Sequence, residues 1–203
     1  REEFPVEFEE FDKNRIKCVD IVGNGVLFVL YNVFTKKECN DIITAASEKG
    51  FEKLTGYSEK YRNNMRLVID SKLIIKEMEK RIVDYVKNPV EITEKSNTIH
   101  RHRLMFGKWN FDRLNSNLRI CRYKPQNKFD KHEDLGYHPD RKSIRSIKTC
   151  MVYLNNDFSG GTTRFYNGEL DDVDSHKLFY TLKPEPGMCV IFNQCIVHDG
   201  EII

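Results

Sequence analysis

What most narrows the fold of this chain is a series of short β-rich runs in its C-terminal half. They lie at 117 to 124, 146 to 155, 162 to 167, 177 to 183 and 187 to 193, divided by the breakers "KPQN", "NNDFSGG" and "KPEPG". Runs of this length, rich in β-branched and aromatic residues and bounded by Gly, Pro and Asn, read as strands. Several such strands after a helical first half predict an α+β chain that is mainly β. The expected architecture is a β-sandwich or jelly roll braced on one face by helices.

The helices come from the first half. Residues 25 to 34, "GVLFVLYNVF", are β-rich, and Thr35 with Glu38 three residues on forms a capping box that starts a helix. Cys39, Ile42, Ile43 and Ala46 then recur at helical spacing, and Gly50 suits a C-terminal cap. A second helix is predicted from Ser71 to about Lys87, with Ile74, Ile75, Met78, Ile82, Tyr85 and Val86 on one stripe and Asn88-Pro89 ending it. The stretch 89 to 116 has little periodicity and reads as mostly loop, with Trp109 and Phe111 as packing anchors. At 203 residues the chain has the size of a single domain, 1–203. Residues 1–116 would be helical support and loops, and 117–203 the strand-rich core.

Composition excludes several partners. Charged residues make up 32% of the chain, yet the net charge is only +2, so both signs are interspersed and no polybasic arm is present. A nucleic-acid partner is not expected, and the local cluster Arg101, His102 and Arg103 reads as a solvated loop. The longest apolar run, "GVLFVL", is far too short to span a bilayer, so no membrane partner is expected either. The six cysteines contain no C-x-x-C pair and most lie in apolar surroundings, which reads as buried free thiols and predicts a cytoplasmic or nuclear location. A start at Arg1 and a stop at Ile203 inside an apolar stretch suggest cuts through a longer protein.

The chemistry concentrates in "RYKPQNKFDKHEDLGYHP". Residues two apart on a strand share a face, so His132 and Asp134 would project together and Glu133 away from them. A second imidazole arriving from another strand would complete a 2-His-1-carboxylate triad, which suits non-haem Fe(II) because it leaves coordination positions open. His198 in "IFNQCIVHDG" is the candidate. His100, His102, His138 and His176 lie in irregular or polar stretches and read as exposed.

From about residue 25 to the end, the chain resembles the prolyl 4-hydroxylase-like family of 2-oxoglutarate- and Fe(II)-dependent oxygenases. The ordered motifs that carry the resemblance are "RNNMR", "LRICRYKPQNKFDKHED", "KTCMVYLNNDFSGGTTRFY" and "PEPGMCVIFNQCIVHDGE". It implies a double-stranded β-helix (jelly roll) core behind N-terminal helices, with His132, Asp134 and His198 as iron ligands. It also implies that Tyr123 and Tyr153 contact 2-oxoglutarate and that Thr163 faces the same pocket. Fe(II), 2-oxoglutarate as cosubstrate, O2 and ascorbate as reductant would be required, and the product would be a hydroxylated C–H bond in a prolyl residue of a protein or peptide.

One element of the family pattern lies elsewhere. The distal carboxylate of the keto acid needs a cation, ideally an arginine, and in the family this lies about nine residues past the distal histidine. That position is beyond Ile203, and Arg164 would point away from the pocket because it alternates with Thr163. The polar segments 53 to 66 and 136 to 147 are expected to flank the site and face the substrate. Other readings of the same ligands are a hydroxylase of a different side chain or a small molecule, a cupin-type enzyme using another metal, and a non-catalytic jelly-roll binding module.

Overall fold

The computed structural model describes residues 4–93, 106–139, 143–168 and 170–203. In chain order the elements are β1 (Lys17–Asp20), β2 (Leu27–Tyr31), α1 (Lys36–Lys49), β3 (Glu52–Lys53), β4 (Met65–Asp70), α2 (Lys72–Val86), β5 (Val90–Ile92), β6 (Gly107–Trp109) and β7 (Asn117–Arg122). They continue with β8 (Phe129–His132), β9 (Lys148–Val152), β10 (Thr163–Asn167), β11 (Lys177–Leu182), β12 (Cys189–Asn193) and β13 (Val197–Gly200). Two antiparallel four-stranded sheets form the centre, one in the order β1-β2-β12-β9 and the other β11-β10-β13-β8. The chain is thus mainly β.

The central strands of the first sheet, "LFVLY" and "CVIFN", are apolar without alternation because both of their faces are covered. On one face Phe28, Leu30, Cys189 and Ile191 pack with Cys39 and Ile42 of α1 and Ile74, Met78 and Ile82 of α2. On the other, Leu27, Val29, Val190 and Phe192 meet Phe165 and Leu182 of the second sheet. Each such side chain withdrawn from water contributes roughly 1.5–3 kcal/mol. An all-apolar strand specifies its register weakly by pattern. Here a turn helps to fix it: Gly187, at φ +77°, donates to the Tyr153 carbonyl at 2.8 Å, and its own carbonyl accepts from the Val33 and Phe34 amides.

The capping box forms as predicted, the Thr35 hydroxyl accepting from the Glu38 amide at 3.1 Å and the Glu38 carboxylate from the Thr35 amide at 2.7 Å. The same carboxylate takes two guanidinium bonds from Arg81 of α2, at 2.7 and 2.8 Å, and one from the Glu9 amide at 2.9 Å. Both side chains are fully buried. Burial alone would raise the Glu38 carboxyl, but the bonds from Arg81 and from the Thr35 and Glu9 amides outweigh it and hold the group below its ordinary range. One ion pair therefore locks both helices and the N-terminal segment together.

Several expectations need correction. The division at 117 runs through the first sheet, since β2 pairs with β12; the run at 25 to 34 supplies the core strand β2. The stretch read as loop contains β5 and β6, paired from Val90 opposite Trp109 to Ile92 opposite Gly107, and such short strands leave no periodicity to read. A third sheet, β3-β4-β7, flanks the centre. Cys18 and Cys121 are exposed, being on the solvent side of their strands, although all six cysteines are free. The cluster Arg101 to Arg103 lies outside the described residues, as do His100 and His102. Among the described residues, no helix is long and apolar enough to cross a membrane.

Candidate metal centre

His132 closes β8 and His198 lies on β13, and the two are direct cross-strand partners in the second sheet. Phe165, opposite His198 on the other side, and Phe192 of the first sheet wall the His198 ring at centroid distances of 6.0 and 4.8 Å. Asp134 lies just past the end of β8, so plain strand alternation does not bring it to His132. Its amide donates to the Gln194 carbonyl at 2.9 Å, pinning it to the turn between β12 and β13. One ligand atom from each of His132, Asp134 and His198 then falls within 4.8 Å of the others.

The donor chemistry of this cluster fits a metal ion. Nδ1 of His132 is 2.7 Å from the Asp130 carbonyl, and Nδ1 of His198 is 2.9 Å from the Ile196 carbonyl. A carbonyl only accepts, so each Nδ1 carries a proton, and in the neutral ring Nε2 then presents a lone pair. Nε2 of His198 is 3.7 Å from the Asp134 carboxylate. Two imidazoles and a carboxylate therefore face one another with no hydrogen bond between them, an arrangement that a cation can join. Burial, with the neighbouring His198 ring, pushes the His132 imidazole down to about 3, which keeps it in the neutral ligating form. Two imidazoles and one carboxylate suit Fe(II) and leave coordination positions open.

Thr149 of β9 is a member of the site that sequence reading missed. Its hydroxyl donates to Asp134 Oδ2 at 2.5 Å, orienting the carboxylate from the opposite sheet. A threonine in a strand carries no signal by itself; only the pairing of the two sheets reveals the role. Lys148, beside it, donates to the Gly25 carbonyl at 2.5 Å and the Asn193 side chain at 2.8 Å, tying three segments at this end of the first sheet. Burial pushes that amine down to about 8.

The three residues expected to contact 2-oxoglutarate are placed in part by contacts with one another. Tyr153, just after β9, donates its hydroxyl to Thr163 Oγ1 of β10 at 2.7 Å, bridging the sheets. Tyr123 follows β7 directly. Burial pushes both phenols up, so they stay neutral donors. Arg164 points away from them: it binds Asp199 through two bonds of 2.8 and 2.9 Å, and Tyr166 donates to the same carboxylate at 2.9 Å. Of the remaining described histidines, His138 is exposed as expected, whereas His176 is half-buried, its ring 6.3 Å from that of Tyr166. Neither joins the triad.

Segment 61–64 flanks the centre, its backbone joined to 128–130 by bonds from the Asp130 amide to the Tyr61 carbonyl and from the Asn63 amide to the Lys128 carbonyl. On the other side Leu135 and Tyr137 stand exposed just after Asp134.

Residues 118–203 match the family model described as "2OG-Fe(II) oxygenase superfamily". This stretch holds the three candidate ligands as well as Tyr123, Tyr153 and Thr163, so the likeness to 2-oxoglutarate- and Fe(II)-dependent oxygenases read from the motifs is borne out across it. No curated protein matches the chain. Among solved structures, a Pseudomonas putida prolyl-4-hydroxylase is similar at 15% identity, with 82% of this chain and 76% of that chain covered and a TM-score of 0.48.

Proposed function

We propose that this chain, with 2OG-Fe(II) oxygenase sequence at residues 118–203, is a single oxygenase domain spanning 1–203 that hydroxylates a prolyl residue of a protein or peptide. Its two central sheets would form a double-stranded β-helix. The observation that carries the reading is the convergence of ligand atoms from His132, Asp134 and His198 within 4.8 Å, inside the matched stretch.

His132, Asp134 and His198 would hold Fe(II), which would supply O2 activation coupled to oxidative decarboxylation of 2-oxoglutarate, with one oxygen atom going to succinate, the other to the substrate hydroxyl, and CO2 released. The protein's own part is positioning and exclusion of water. Tyr123 and Tyr153, kept neutral by burial, would donate hydrogen bonds to the keto acid, with Thr163 holding the Tyr153 hydroxyl in place. Phe165 and Phe192 keep water from the His198 side. Ascorbate would serve as reductant.

The prolyl part rests on the order of the four motifs and on the apolar and aromatic rim. Leu135, 88% exposed, and Tyr137, 50% exposed, follow the metal-ligating carboxylate, where a pyrrolidine ring could pack. The test is succinate formation with Fe(II), ascorbate and a panel of proline-containing peptides, with mass spectrometry locating any added oxygen. Peptide-stimulated turnover with oxygen on proline, abolished by His132→Ala, is expected. Turnover with oxygen placed only on another residue or a small molecule would overturn the prolyl assignment, and loss of metal-dependent turnover under every condition would overturn the enzyme.

A further inference from the structure

The His132 ring has a neighbour that its ligand role alone does not explain. The Phe129 ring lies on it at a centroid separation of 3.5 Å with the planes 15° apart. The Arg62 guanidinium carbon is 3.9 Å from the Phe129 centroid. Two groups at these distances cannot share one face of a phenyl ring, so Arg62 covers the face opposite His132. Tyr61 closes an edge of Phe129, T-shaped at 5.6 Å. The result is a stack of guanidinium, phenyl and imidazole.

The stack is anchored from outside. Arg62 and Phe129 form an isolated antiparallel bridge. Arg62 Nε donates to Asn64 Oδ1 at 2.7 Å, Asn64 itself being 1% exposed, and a second guanidinium nitrogen reaches Cys121 Sγ at 3.6 Å. The Asn63 side chain binds the Lys128 amide at 2.8 Å and the Gln126 carbonyl at 3.3 Å. Segment 61–64 therefore cannot drift from β8 without breaking several bonds.

We infer that Arg62 and Phe129 are positioning residues for the metal centre: they fix the plane of the His132 imidazole so that Nε2 points at the ion. The single hydrogen bond at Nδ1 leaves the ring free to swing about the Nδ1···O direction. A flat neighbour in full contact removes that freedom, and a cation on the far face of the phenyl ring holds the neighbour flat through cation–π attraction. Partners that orient a ligating histidine typically change metal affinity 10- to 100-fold when removed. The inference rests on the metal-centre reading above and deepens it.

The experiment is a Co(II) titration of the metal-free protein, followed by the visible d–d absorbance, with thermal unfolding of each metal-free variant as a control. Phe129→Leu, which stays apolar but removes the ring, should weaken Co(II) binding about tenfold and alter the band. Phe129→Tyr should restore both. Arg62→Met, which keeps a long apolar stem without the cation, should weaken binding about threefold. Parental affinity and band shape in Phe129→Leu would overturn the inference. Should that variant fail to fold, parental binding in Arg62→Met would overturn it instead. A parent that binds no Co(II) would overturn the metal centre itself, an outcome distinct from a parent that binds while its variants bind equally well.

Discussion

Thr149→Val isolates the most local contribution to the centre. Valine is nearly isosteric with threonine and favours strands as well, so β9 and its packing should persist and only the hydroxyl is lost. That hydroxyl donates to Asp134 Oδ2 at 2.5 Å. A hydrogen bond to a charged group contributes about 1.5–3 kcal/mol, or roughly 10- to 150-fold in an equilibrium constant. Asp134 is 32% exposed, so water can supply part of the missing donor, which places the expectation at the lower end. Metal affinity should fall about tenfold. Thr149→Ser, which keeps the hydroxyl, should stay near the parent. The assay is equilibrium binding of Fe(II) under anaerobic conditions, with Co(II) as a check, and thermal unfolding should show little change. A Thr149→Val protein that binds within about twofold of the parent would refute the view that this bond holds the carboxylate in its ligating orientation.

Other perturbations probe the scaffold and the cosubstrate pocket. Glu38→Gln leaves Arg81 buried with one charged partner fewer, and should cost about 3–5 kcal/mol in chemical denaturation. The Glu38 carboxyl is held below its ordinary 4.5, so its contribution is complete above that pH and lost as pH falls through the lower folded value; denaturation midpoints of the parent should drop in that acid range, and Glu38→Gln should lack this component. A methyl group on Gly187 would lie 1.9 Å from the Phe34 carbonyl oxygen at φ +77°, so Gly187→Ala should lower the unfolding temperature markedly or prevent soluble expression. Arg164→Met should leave the KM for 2-oxoglutarate unchanged while lowering stability by about 1–3 kcal/mol, because its guanidinium is already engaged with Asp199; a raised KM would show that it binds the keto acid.

Much of this site can be read along the chain because its signals are local. Thr35 and Glu38 announce α1 through a three-residue spacing, and Ser71 with its apolar stripe announces α2. The strands are legible from β-rich runs between breakers, and His132, Asp134 and His198 from ordered motifs. The alternation that turns Arg164 away from Thr163 is also local, whereas its bond to Asp199 depends on the pairing of β10 with β13.

Tertiary structure decides what depends on distant segments meeting. β2 belongs to the first sheet because its apolar residues need cover on both faces, and only the folded chain supplies α1 and α2 on one side and Phe165 and Leu182 on the other. Asp134 is held near His132 and His198 by its bond to the Gln194 carbonyl and is aimed by Thr149, both contributed by segments remote from it. Arg62 is 70 residues before His132 in the chain yet is one phenyl ring away in space. Which side chains could bind a metal is legible along the chain, because that is a property of residue type. Only the fold determined which lone pairs converge and what holds them there, because convergence depends on strand register and cross-sheet contact.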